Sequence, residues 1–137
     1  MSTSETITRT DLTNILNEVL PNTSVDYIVE QGTSGIWKYR KWNSGIAECW
    51  GQSSVASSTY SANNGYKNVV ETLPSGLFNA TPNIVNACGK LNTVVQTDIG
   101  YTSADNATSV QTYLINRHSS SVTQAGVVYW EVKGTWK

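Results

Sequence analysis

The 137-residue chain has a formal net charge of −1, with 9 basic and 10 acidic residues, 2 cysteines and 1 histidine. That length can bury one core without disulfides or metal, and a balanced charge without a basic face excludes non-specific nucleic-acid binding. Only 14% of residues are charged; polarity comes instead from Ser, Thr and Asn, roughly a third of the chain, a balance common in extracellular β-structure and virion proteins.

The first 20 residues lack a basic start followed by a continuous apolar run, so no secretory leader is expected. No apolar run approaches the roughly 20 residues of a membrane span, so no membrane insertion is expected. Residues 1–23 read as a helical oligomerisation segment and residues 24–137 as one β-domain. Thr8 to Leu20 is the helix, with Leu12, Ile15, Leu16, Val19 and Leu20 on one stripe. Thr8 caps it, Asp11 takes the capping-box position, Ile7 and Leu12 form a hydrophobic staple, and Pro21 ends it. A helix this short must pack, either on its own sheet or in a bundle of copies.

Val25 to Glu30 reads as a strand and Gly32 to Gly35 as a turn. The next stretch, Ile36 to Gly51, holds Trp37, Trp42 and Trp50, three of the chain's five tryptophans. Between its two aromatic-rich arms lie Asn43, Ser44 and Gly45, a three-residue hairpin loop with glycine at the left-handed position. This pairs Trp42 with Ile46, Arg40 with Glu48, Lys38 with Trp50, Tyr39 with Cys49 and Lys41 with Ala47. Alternation then puts Trp37, Tyr39, Lys41, Ala47 and Cys49 on the core face, and Lys38, Arg40, Trp42, Ile46, Glu48 and Trp50 on the other. The opposed Arg40 and Glu48 fix register, since a one-residue slip reverses both faces.

Gln52 to Tyr60 is a polar stretch suited to an edge strand, and Ser61 to Gly65 is a loop. Strands follow at Tyr66 to Leu73, Ile84 to Cys88, Thr93 to Gly100 and Ser109 to Asn116. Tyr101 to Thr108 reads as a turn and Arg117 to Gln124 as a polar loop. Gly126 to Trp136 closes the chain with Val128, Trp130 and Val132 on one face. Short strands at this spacing predict an all-β fold: an antiparallel β-sandwich with a short N-terminal α-helix.

Chemistry is sparse. Cys49 and Cys88 are expected as two buried free thiols. His118 stands alone in a loop. Glu48, Glu131, Asp98 and Asp105 are the carboxylates that a glycosidase would need in pairs, but Arg40 already claims Glu48. No cofactor motif or metal set is found, and the chain is read as non-enzymatic. Aromatics among polar loops fit ligand binding better, because rings stack on sugar faces while amides and carboxylates bond hydroxyls. The candidates are Tyr60, Asn63, Asn64, Tyr66, Asp98, Tyr101, Asp105, Arg117 and His118; each tyrosine can equally serve as a cap on a strand end.

Asp26 to Gly32, Trp37 to Trp42 and Ser44 to Gly51 together resemble the carboxy-terminal domain of bacteriophage and prophage tail-fibre (minor structural) proteins. Leu73-Pro74 through Phe78 and Pro82, and the ending Val132 to Trp136, are similar to the same family. The second half also resembles the H-type lectin fold, with none of the lectin sugar-binding positions matched. The resemblance covers roughly residues 25 to 137. It implies a homotrimer at a fibre tip, made in the bacterial cytoplasm and carried on the virion. Such a domain contacts a host-surface glycan or protein and joins other fibre or baseplate proteins. The expected subunit interface is Leu12, Ile15, Leu16 and Val19 of the helix with Arg40, Trp42, Glu48 and Trp50 of the hairpin. The alternatives are a purely structural trimerisation or cap module, and a glycan depolymerase.

Overall fold

The computed structural model describes residues 8–19, 25–92 and 97–137, with side chains in the helix described as far as Ile15. Helix α1 (Arg9–Val19) starts where expected. Asp11 Oδ2 accepts from the Thr8 amide at 3.0 Å and from its hydroxyl at 2.7 Å, while the Asp11 amide donates to Thr8 Oγ1 at 3.1 Å. These bonds hold the Asp11 carboxyl below its usual range. Leu12 and Ile15 remain exposed. The side chains of Leu16 and Val19, together with Ile7, Leu20 and Pro21, lie outside the described residues.

Nine strands follow among the described residues: β1 (Ile28–Ser34), β2 (Trp37–Trp42), β3 (Ile46–Tyr60), β4 (Gly65–Thr72), β5 (Ile84–Leu91), β6 (Thr97–Ile99), β7 (Ser103–Asn106), β8 (Ser109–Asn116) and β9 (Val122–Thr135). One sheet has the order β1-β2-β3-β9-β5. The other has the order β4-β8-β6, with β7 also on β8. Every pairing is antiparallel. The all-β sandwich expected from the strand spacing is therefore the observed architecture.

The hairpin register matches the expectation: Lys38↔Trp50, Tyr39↔Cys49, Arg40↔Glu48 and Lys41↔Ala47. Its loop closes by a bond from the Gly45 amide to the Trp42 carbonyl at 3.0 Å, and Gly45 has φ +96°. Trp37, Ala47 and Cys49 are buried. Lys41 lies at the edge of this face, where Glu30 Oε2 meets its ammonium at 2.9 Å and the Trp136 ring lies 5.6 Å away.

Several boundaries differ from the sequence reading. The first strand starts at Ile28, and its turn is Gly35-Ile36, joining the paired residues Ser34 and Trp37. Gln52 to Tyr60 is the second half of the 15-residue β3, bonded to β9. Tyr101 to Thr108 contains β7, and Val122 to Gln124 belong to β9 rather than to a loop. Thr93 to Gly100 is seen as β6 alone, its residues 93–96 lying outside the described set.

The core lies between the sheets. Trp130 and Val132 of β9 share one buried cluster with Val110 and Leu114 of β8, all nearly inaccessible. The Trp37 indole N–H reaches across to the Thr72 carbonyl of the opposite sheet at 2.7 Å, and the Trp130 N–H donates to Ser53 Oγ at 2.7 Å. Both buried donors are thus satisfied. Leu73, Leu77 and Phe78 close one end of the sandwich. Leu114 packs over two glycines of the facing sheet. A Cβ on Gly126 would lie 2.8 Å from Leu114 Cδ2 and 2.9 Å from the Lys90 carbonyl, and one on Gly89 would lie 3.2 Å from Leu114 Cδ1.

Leu114→Ala empties this contact and is expected to cost about 2–5 kcal/mol. Gly126→Ala overfills it against rigid backbone and is expected to cost about 1–3 kcal/mol. Urea denaturation checks both; a loss below about 0.5 kcal/mol in either, the size of an ordinary surface change, contradicts the packing described.

Candidate functional site

The two sheets turn very different outer faces to solvent. On the five-stranded sheet, alternation sends Lys38, Arg40 and Trp42 of β2 outward, with Ile46, Glu48 and Trp50 of β3 beside them. In the same cross-strand rows stand Glu131 and Lys133 of β9 and Ile84 and Asn86 of β5. Glu48 is the hub. Its carboxylate lies 3.9 Å from Arg40 Nη1 and 3.7 Å from Lys133 Nζ, and accepts from the Trp42 indole at 3.3 Å. The Arg40 guanidinium lies 4.9 Å from the Trp50 ring centre, and Lys133 also meets Glu131 at 3.3 Å. Arg40, Trp50, Asn86, Cys88, Tyr129 and Glu131 border a concavity of about 540 Å³. Ile28, Ile46, Ile84 and Tyr129 are exposed apolar groups on this sheet. All four hairpin residues expected at the interface are therefore gathered on one face.

The outer face of the smaller sheet is built from β4, β6 and β8. Val110, Thr112, Leu114 and Asn116 point inward, so Gln111, Tyr113 and Ile115 point outward. Ile115 pairs with Tyr66 on one side and with Asp98 on the other. Tyr66 meets Tyr113 edge-on, with ring centres 5.3 Å apart. Tyr66, Gly100, Tyr101, Tyr113 and Ile115 line a shallow depression of about 240 Å³.

A polar network borders it. Arg117 donates from Nε and Nη2 to Asp98 Oδ2 at 3.2 and 2.9 Å, and from Nη1 to Asn64 Oδ1 at 2.6 Å. Asn64 and Asn63 hold left-handed φ values of +84° and +55°, a conformation asparagine tolerates better than most residues. Their amides donate to the Asn116 and His118 carbonyls at 2.8 and 2.9 Å. Buried Asn116 ties this corner together, donating to the carbonyls of Tyr60, Ser61 and Ser120 and accepting from the His118 amide.

Asn64, Tyr66, Asp98, Tyr101 and Arg117 are thus brought together, with Asn63 supporting the loop. Asp105 lies further along the same face, where its Oδ2 accepts from Gln111 Nε2 at 2.8 Å. His118 Nδ1 accepts from the Ser120 amide at 3.1 Å, a turn-stabilising role. Tyr60 is corrected outright. Its side chain is fully buried and its hydroxyl has no partner among the described residues, so it can touch no ligand. Burial alone raises its pKa. Tyr113 was missed, although the alternation in Ser109 to Asn116 marks it as outward.

The cysteines also separate. Neither is in a disulfide; Cys49 is buried, whereas Cys88 is exposed rather than buried as expected. Burial, with the adjacent Glu48 charge adding to it, pushes the Cys49 thiol up to about 12.

No protein-family profile and no curated protein matches the chain. Among solved structures, an N-truncated R1-type pyocin tail fibre is similar over 97% of this chain and 99% of that one, with a TM-score of 0.60 and 12% identity. A carboxy-terminal portion of the P. aeruginosa R1 pyocin fibre is similar over 86% of this chain and 30% of that one, with a TM-score of 0.56 and 13% identity. The chain therefore shares the fold of these phage-tail-like fibres.

The Cys49 pKa predicts a thiol test. In a Cys88→Ser variant the remaining thiol should stay protonated, and so unreactive towards an aromatic disulfide reagent, from neutral pH to about pH 9. It should react fully in denaturant; rapid labelling of the folded variant contradicts the buried position of Cys49.

Proposed function

We propose that the chain is a tail-fibre domain that recognises a bacterial surface, a glycan or a protein, as a homotrimer on a virion or similar particle. The observation that carries this reading is the fold likeness to a pyocin tail fibre along nearly the whole of both chains. The five-stranded sheet supplies the subunit seam. Its outer face combines Trp42, Trp50 and Arg40 with exposed Ile46 and Ile84, and tryptophan and arginine are enriched at interface centres. Its charges are already matched through Glu48, so covering them leaves few unpaired groups. Leu12 and Ile15, exposed on α1, add a second apolar surface for a helix bundle.

The reading is non-enzymatic. Each carboxylate considered for hydrolysis is engaged: Asp98 by Arg117, Asp105 by Gln111, Glu48 by Arg40 and Lys133, and Glu131 by Lys133.

Native mass spectrometry at micromolar concentration should give three times the chain mass, and fluorescently labelled protein should bind intact host cells. Ile46→Lys combined with Ile84→Lys should give a folded monomer with weaker cell binding. A wild-type monomer overturns the trimer; a wild-type trimer that binds no cell from a broad panel of candidate hosts favours a purely structural fibre cap.

A further inference from the structure

We infer that the depression formed by Tyr66, Tyr101 and Tyr113 binds a single neutral pyranose ring, with Asp98 and Asn64 bonding its hydroxyls. This deepens the surface-recognition reading and rests on it for the biological role of the sugar. Tyr66 and Tyr101 are 64% and 70% exposed, more than any other large apolar residue described. Exposed aromatic rings in a cluster are costly in water unless a partner covers them.

The phenol hydroxyls decide what kind of partner. Tyr39 spends its hydroxyl on Glu30. Those of Tyr66, Tyr101 and Tyr113 make no hydrogen bond among the described residues, and neither does the side-chain Nδ2 of Asn64. The face thus offers ring surfaces beside unspent donors and acceptors, the pairing that a pyranose needs for its C–H face and its hydroxyls. An aliphatic ligand would leave those polar groups stranded. The volume of about 240 Å³ falls below the roughly 300–1,000 Å³ of pockets that enclose a drug-sized ligand. One ring fits, with the rest of a polymer running off in solvent.

Charge selects neutrality. Arg117 spends three of its five N–H donors, two on Asp98 and one on Asn64, and Asp98 already balances its charge. A phosphate or carboxylate on the ligand would have to share Arg117 with Asp98 and sit beside that carboxylate. Asp105 adds a second negative group to the same face through its bond to outward-facing Gln111. Asp98 keeps half of its side chain exposed within its ion pair, so it can accept from a hydroxyl without releasing Arg117.

The test titrates isotope-labelled protein with the methyl glycosides of glucose, galactose and mannose, and with glucuronate and glucose phosphate, reading amide shifts. At least one neutral glycoside should move Tyr66, Gly100, Tyr101 and Tyr113 saturably, with weak affinity. Tyr66→Ala and Tyr101→Ala should each weaken that glycoside about tenfold, as expected for a lost stacking partner. Tyr66→Phe, which keeps the ring, should stay within about threefold. Both positions are exposed, so the variants should fold, and their amide spectra verify it. No saturable shift with any of the three neutral glycosides, or preference for an anionic probe, overturns the inference. Wild-type cell binding that survives the Tyr66→Ala/Tyr101→Ala double variant also overturns it while leaving surface recognition intact. Loss of wild-type cell binding itself sinks the wider reading, and the glycoside shifts then judge the platform alone.

Discussion

The pairing of β3 with β9 extends from Ile46↔Thr135 to Tyr60↔Val122, and through the two-residue period of extended chain it assigns every nearby side chain to a face. With Cys49 opposite Val132, the row Ala47, Cys49, Trp130 and Val132 turns inward while Glu48, Trp50, Glu131 and Lys133 turn outward. A slip of β9 by one residue would bury Glu131 and Lys133 and expose the core Trp130. The penalty for that exchange is far larger than any single surface contact contributes, so the register is set by burial. The Arg40–Glu48 pair only reinforces it, and its contribution is that of a partly exposed ion pair, about 0.2–1 kcal/mol.

Once that ladder is fixed, the indole N–H groups become struts. Trp37 bonds the Thr72 carbonyl on the opposite sheet, Trp130 bonds Ser53 within its own, and Trp136 bonds the Trp42 carbonyl next to the hairpin loop. Each satisfies a donor that burial would otherwise penalise, and each joins segments far apart in sequence. The sandwich is held at the hairpin end by this tryptophan framework. At the opposite corner, Asn116 does a comparable job with one amide, gathering three carbonyls of two loops. Rigid loops there keep Asn64 and Arg117 in place beside the tyrosines.

Local signals were legible in the sequence and long-range ones were not. The hairpin could be registered residue by residue because a three-residue loop ending in glycine leaves one pairing, and the capping box of α1 is equally local. Tyr60 shows the limit. Strict alternation from Cys49 would send residue 60 outward, as its flanking loop suggests. The register shift between Val55 and Ser58 reverses the phase and buries it. Nothing in the Ser-rich stretch announces that irregularity. A second shift, between Ile28 and Glu30, displaces the first strand in the same way. Cys88 fails for a related reason: in the run Ile84 to Leu91 both phases are made of small or mixed residues, and only pairing with β9 decides that Ala87 faces in and Cys88 out. Tyr113 was readable from alternation alone and needed only the recognition that Val110, Thr112 and Leu114 share the inner face.

The division of labour between the two outer faces follows from the sandwich itself. Its two sheets present opposite surfaces, so a three-fold arrangement that turns the five-stranded face towards the axis turns the smaller sheet away from it. On the proposed reading, three copies of the Tyr66–Tyr101–Tyr113 platform then face outward around one fibre. Each site is shallow, and a single ring on exposed aromatics is held weakly. Three such sites on one rigid body meet a surface covered with repeating sugars, where the second and third contacts are governed by effective concentration instead of bulk concentration. Weak sites are then an advantage, because each can release and rebind while the fibre stays attached. A deep, tight pocket would need loops long enough to enclose the sugar, and the two loops joined by Asn116, at 61–65 and 117–121, are short and pinned. The shallow platform is therefore the kind of site that this fold can present most readily on its free face.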